Sequence, residues 1–194
     1  MNQPTHHHSP EQGQILIALA RNAIASEFGE ASDTQPQPDW LQQPGAVFVT
    51  LTQNEQLRGC IGSLVAHRSL INDLQANARA AAFQDPRFPP LKQDELTHTR
   101  IEVSILSPAE TMTFSSEADA LAQLRPGMDG VILEYGRYRA TFLPQVWEQL
   151  PHVSQFMAQL KRKAGLAADF WAEDLHLSLY HVEKFKENLP HEPT

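Results

Sequence analysis

Apolar residues recur every three or four positions in some stretches of this chain and every second position in others. The first helical stretch opens at Ser9-Pro10-Glu11-Gln12, where Ser9 suits an N-cap, Pro10 the first turn, and Gln12 the return arm of a capping box. Leu16, Leu19, Ala20, Ala23 and Ile24 then follow at helical spacing, and Gly29 can end the helix. A second helix is predicted from Ser69 to Phe83, with Leu70, Leu74, Ala78 and Ala81 on one stripe and Asp85-Pro86 as the stop. Shorter helices are predicted over 116–124, 144–150 and 154–164, the last closed by Gly165.

Between these lie strand patterns. AVFVTL (46–51) and LRGCIGSL (57–64), joined by the polar TQNEQ, read as a hairpin. TRIEVSIL (99–106) alternates, with Ile101, Val103 and Ile105 on one face and Glu102 and Ser104 on the other. VILEYGRYRATFL reads as a hairpin around Gly136. In DLHLSLYHVEKF the residues Leu175, Leu177 and Leu179 share a face, and His181 falls in phase with them, as a core or rim histidine. The polar, proline-rich 31–45 is a loop that Trp40 and Leu41 pin to the core, and DPRFPPL (85–91) is a stiff loop. Helices and hairpins interspersed in this way predict an α+β fold with a mixed or antiparallel sheet and flanking helices. The phosphate-binding glycine patterns of dinucleotide and nucleoside triphosphate folds are missing from the sequence.

Composition narrows the function classes. The formal net charge is −8, which disfavours binding to a nucleic acid backbone. The one basic run, Lys161-Arg162-Lys163, falls where cations complement a helix C-terminus. No apolar run is long enough to span a membrane, and the N-terminus lacks the features of a signal peptide. A single cysteine forms no internal disulfide, so a reduced thiol in the cytoplasm is the expectation. His6, His7 and His8 lie in a polar terminal stretch and are read as adventitious, and the scattered remaining histidines predict no metal site and no cofactor.

That cysteine is the main chemical candidate. Cys60 lies between Gly59 and Gly62, with Arg58 two residues away and therefore on the same side of a regular strand. A guanidinium there favours the thiolate, and the glycines admit a ligand or another backbone. A small buried thiol serving as packing is the bland alternative. Glu102 stands mid-strand, where glutamate is uncommon, either on a solvated outer face or facing a cleft as a base or orienter. Asp85 and Arg87 occupy the proline-stiffened loop as ligand anchors or, more simply, as a local cap and a surface pair.

LRGCIGSL, AAFQDPRFPPL, IEVSILSP, GMDGVILE, RATFLPQVWEQLP and LKRKAGL appear in that order. Together they closely resemble the AMMECR domain family, whose prokaryotic members are called AmmeMemoRadiSam system protein A. The resemblance runs from about Gln14 to Phe185. It implies two unequal subdomains with the LRGCIG motif lining a concave region. It also implies association with a Memo-family protein and a radical S-adenosylmethionine enzyme, and it supplies no established activity. The chain is divided on this basis into a polar tail (1–13), one domain of two subdomains (14–186) and a second tail (187–194). Cys60 and Glu102 are the catalytic candidates, and Arg58, Gly59, Gly62, Asp85 and Arg87 the ligand-binding ones. The alternatives are a module that binds a peptide or small ligand without chemistry and a purely structural role for the motif.

Overall fold

A computed structural model describes residues 8–30 and 37–188. His6, His7, residues 31–36 of the proline-rich loop and the end of the C-terminal tail lie outside the described residues. The chain divides into two compact units, one running up to Leu106 and resuming at Glu183, the other spanning Ser107–Val182.

In the first unit, helix α1 (Pro10–Ala25) begins with the capping box expected at Ser9 and Gln12. It continues into a 3-10 turn that ends at Gly29, whose φ of 76° lies in the left-handed region that favours glycine. Strand β1 (Ala46–Gln53) pairs antiparallel with β2 (Gln56–Gly62) and, on its other side, with β3 (Arg100–Leu106). The last strand, β8 (Val182–Lys186), completes the sheet in the order β2-β1-β3-β8. Helix α2 (Leu70–Phe83) packs on β1 and β2, and α1 on α2 and β3. Leu16, Ile24, Val47, Val49, Leu51, Leu74, Ala78, Ile101 and Val103 are shut away from solvent beneath the sheet. Alternation then sets Phe48, Thr50, Thr52, Glu102 and Ser104 on the face turned away from the helices.

The second unit carries β4 (Glu110–Thr111), α3 (Glu117–Gln123), β5 (Gly130–Tyr135), β6 (Tyr138–Phe142), α4 (Val153–Ala164) and β7 (His176–Tyr180). Its sheet runs β4-β7-β5-β6, with antiparallel β4–β7, β5–β7 and β5–β6 pairs. Phe156 and Trp147 stack at 3.7 Å in its core, with Leu133, Leu160 and Leu177 around them. The α+β expectation holds, with two open four-stranded sheets. The C-terminal basic run sits in the last turn of α4, and Lys161 is drawn inward onto Glu117, 2.6 Å away.

Two details depart from the pattern. The alternating run 174–185 is two strands: β7 ends at Tyr180, and β8 joins the other sheet. His181 therefore leaves the leucine face, and its half-exposed ring lies 3.2 Å from the buried Asp129 carboxylate instead. The 144–150 segment predicted as a helix is a short 3-10 helix, Pro144–Glu148, rather than an α-helix.

Candidate functional site

Strand β2 carries the cysteine and forms one edge of the first sheet. Its hairpin turns on Asn54 and Glu55, both at positive φ, which matches the twist of a two-residue connection. Leu57 pairs with Thr52 and Gly59 with Leu51, so Arg58 is an extra residue in the strand, a β-bulge. The bulge breaks the alternation that would set Arg58 beside Cys60. The Arg58 guanidinium instead forks onto Glu95, with Nε and Nη2 each 3.1 Å from a carboxylate oxygen, and donates from Nη1 to the Pro89 carbonyl at 2.9 Å. Gly59 faces α2, where any Cβ would meet the Ala81 carbonyl oxygen at 2.1 Å, and a Cβ on Gly62 would meet the Phe48 ring at 2.2 Å. Close packing accounts for both glycines.

An edge strand leaves backbone groups without a neighbour. At Cys60 the DPRF loop supplies them. The Cys60 N–H donates to Asp85 Oδ2 at 2.9 Å, and Arg87 Nη2 donates to the Cys60 carbonyl at 3.3 Å. Asp85 is buried, and its carboxylate also accepts from the Arg87 backbone N–H at 3.1 Å and from Nε and Nη2 of the Arg87 side chain at 2.9 and 2.7 Å. The Arg87 guanidinium, helped by those backbone donors, holds the Asp85 carboxyl well below the usual carboxylate range despite burial. In return, Asp85 raises Arg87 above the ordinary guanidinium range. Both simple expectations for this loop, a local cap and an ion pair, are met by the same two residues.

The side chain of Cys60 turns to the face away from the helices. It is half-buried, and its Sγ lies 3.1 Å from Thr50 Oγ1. Thr50 is the cross-strand partner of Cys60 on one side and of Glu102 on the other, so the three form one row across β2, β1 and β3. Glu102 in turn meets Lys186 Nζ at 3.3 Å and Lys184 Nζ at 4.0 Å, both from β8. The structure thus brings Cys60, Asp85 and Arg87 together through the backbone and sets Cys60 and Glu102 on one face with Thr50 between them. It sends Arg58 to Glu95. Among the described residues the thiol's hydrogen-bond partner is Thr50 and not a histidine, and no group of three or more His, Cys, Asp or Glu side chains is placed to hold a metal.

The Thr50 contact with Cys60 and the pairing of Arg58 with Glu95 escape a reading of sequence spacing, because both depend on the bulge. Glu95 lies in the turn Gln93–His98 and also accepts from the Lys92 N–H. Its carboxyl is lowered from an ordinary 4.5 to about 2, chiefly by the Arg58 hydrogen bonds, with burial opposing. A depressed carboxyl contributes stability above its unfolded value and loses it as pH falls through the folded one. Between about pH 4.5 and 2, the melting temperature of the wild-type protein is therefore expected to fall more steeply than that of Glu95→Gln. Parallel slopes in pH-dependent melting curves would contradict the assignment.

A model of the AMMECR1 family matches residues 17–185. A protein of Methanothermobacter thermautotrophicus is 36% identical over 93% of this chain and 96% of its own length. Protein MJ0810 of Methanocaldococcus jannaschii is 34% identical over 93% of this chain and 92% of its own. Among solved structures, the uncharacterised protein PH0010 of Pyrococcus horikoshii superposes with a TM-score of 0.77 at 34% identity, covering 94% of this chain and 95% of that one. The match takes in both units and every residue of the clamped strand, its loop and the outward row, and the chain belongs to the AMMECR1 family.

Proposed function

We propose that this protein works through the outward face of its first sheet, with Cys60 as a reactive thiol at the centre of a ligand site. Thr50 orients the sulfur, Glu102 is the acid–base or orienting group of the same row, and Arg87 anchors ligand at the strand edge. Arg58, Gly59, Gly62 and Asp85 shape and hold the site. The observation that carries the reading is the contrast within Cys60. Its backbone N–H and C=O are both fixed by the Asp85–Arg87 loop, yet its side chain is only half-buried and lies beside polar groups rather than under leucines. A cysteine used as packing is normally sealed among apolar neighbours. The reading extends to action in the cytoplasm together with a Memo-family protein and a radical S-adenosylmethionine enzyme, on the strength of the family resemblance alone.

Cys60→Ser tests it. The substitution is nearly isosteric, and the backbone clamp does not involve the sulfur. In a host deleted for its own member of this family, the variant is expected to fold normally and fail to complement. Full complementation by Cys60→Ser would remove the thiol chemistry and leave a binding module. The specific observation favouring that second reading is that Arg87 remains about half exposed while locked in place, as a ligand anchor needs no reaction to be useful.

A further inference from the structure

The outward face of the first sheet carries more positive charge than its own carboxylate matches. Lys184 and Lys186 stand two apart on β8 and share the single carboxylate of Glu102, at 4.0 and 3.3 Å. Arg100 precedes Glu102 by two residues on β3 and so lies on the same side, and its Nε donates to a backbone oxygen, that of Glu187, rather than to an acid. At the opposite edge, Arg87 and Asp85 balance each other. Among the described residues, the two lysines that meet Glu102 and the Arg100 on the same side outnumber that carboxylate by two charges, on a chain whose net charge is −8.

Adjacent like charges on a sheet repel, and nothing in the protein's own composition favours gathering them here. Exposed lysines do protect a sheet edge from pairing with other chains, and β8 is an edge strand. That role asks nothing of Arg100 and no convergence on one glutamate. The overall negative charge repels an extended polyanion such as a nucleic acid or an anionic membrane, whereas one small anionic group fits the local excess. Neighbouring strands are spaced at about 4.8 Å, so the lysines on β8 lie roughly 14 Å from Cys60 on β2, with Glu102 and Thr50 between.

We propose that this face binds a small molecule bearing a carboxylate or phosphate group, its anionic end seated by Lys184, Lys186 and Arg100 and the rest lying along Thr50 toward Cys60. The inference rests on the outward face being the functional one. It does not require that the thiol react.

Calorimetric titration with citrate and, separately, with pyrophosphate distinguishes the two headgroups and tests the site. At least one is expected to give a saturable isotherm, weakened about tenfold or more in Lys184→Gln/Lys186→Gln. Both lysines are well exposed, so that variant is expected to keep its fold, and its melting curve checks this. The bound anion is also expected to slow alkylation of Cys60 by iodoacetamide in the wild type and not in the variant. No saturable binding of either anion, or equal binding by wild type and variant, overturns the proposal. The two readings fail separately: full complementation by Cys60→Ser with lysine-dependent anion binding removes the thiol chemistry only, and loss of complementation without such binding removes the anion site only.

Discussion

Gly59→Ala is expected to destabilise the first unit by about 3 kcal/mol. The new methyl carbon would lie 2.1 Å from the Ala81 carbonyl oxygen and 3.1 Å from its carbon. Both are backbone atoms of α2, and that helix is held by Leu70, Leu74, Ala78 and Ala81 in the core. Neither side can yield by rotating a bond, so β2 must move off the helix. Alanine's smaller loss of chain entropy on folding returns less than about 1 kcal/mol of this. Gly62→Ala is the internal comparison. Its methyl would meet the half-buried Phe48 ring, which can turn aside, and a loss of about 1 kcal/mol is expected. With two units in the chain, a single melting temperature mixes their responses, so hydrogen exchange at the β1 and β2 amides is the better measurement. A Gly59→Ala protein with unchanged exchange there would return the glycine to the role of ligand access.

Most elements were legible because their signals are local. Ser9 and Gln12 announce the start of α1, Gly29 and Gly165 end their helices at positive φ, and the stripe Leu70, Leu74, Ala78, Ala81 lies buried as its spacing requires. The site was legible only in part, because its geometry turns on one unpaired residue. Counting back from the Asn54-Glu55 turn without a bulge puts Gly59, not Cys60, opposite Thr50. The extra residue at Arg58 shifts the register by one, which sends the guanidinium to Glu95 and aligns Cys60 with Thr50 and Glu102. A bulge has no sequence signature as strong as a cap or a hairpin turn. The break at His181 was hidden for a related reason: alternation continues in the letters while the chain passes from one sheet to the other. Asp85 illustrates a third limit. Its residue type suggested a loop cap, which it makes to the Arg87 N–H, and only the fold shows that it also accepts from the amide of a strand residue 25 positions earlier.

The same device, a carboxylate standing in for a missing strand, recurs at Asp73, and Asp73→Ala is expected to cost about 4 kcal/mol. Asp73 is fully buried on α2, and its carboxylate collects four donors. Oδ2 accepts from the Val47 N–H at 2.9 Å and from Asn77 Nδ2 at 3.0 Å, and Oδ1 accepts from Ser63 Oγ at 2.6 Å and Arg68 Nε at 2.7 Å. Asn77 also donates to the Val47 carbonyl at 3.0 Å, beside the Ser63 N–H at the same distance, so the helix reaches both backbone groups of Val47 just where β2 ends. Alanine would strand the Val47 N–H away from water and take the acceptor from the half-buried Ser63 hydroxyl, while Asn77 keeps the Val47 carbonyl and Ser63 Oγ; the orphaned amide and the emptied carboxylate site carry the cost. Arg68, about one-third exposed, can turn to solvent and adds less. Asp73→Asn keeps the shape and an acceptor for Val47 but sets an amide group against donors, so a loss of about half that size is expected. Urea unfolding followed by exchange at Val47 and Ser63 measures both. A loss below about 1 kcal/mol for Asp73→Ala would mean that water replaces the carboxylate, and that the loops of this sheet do not depend on their acids to finish its strands.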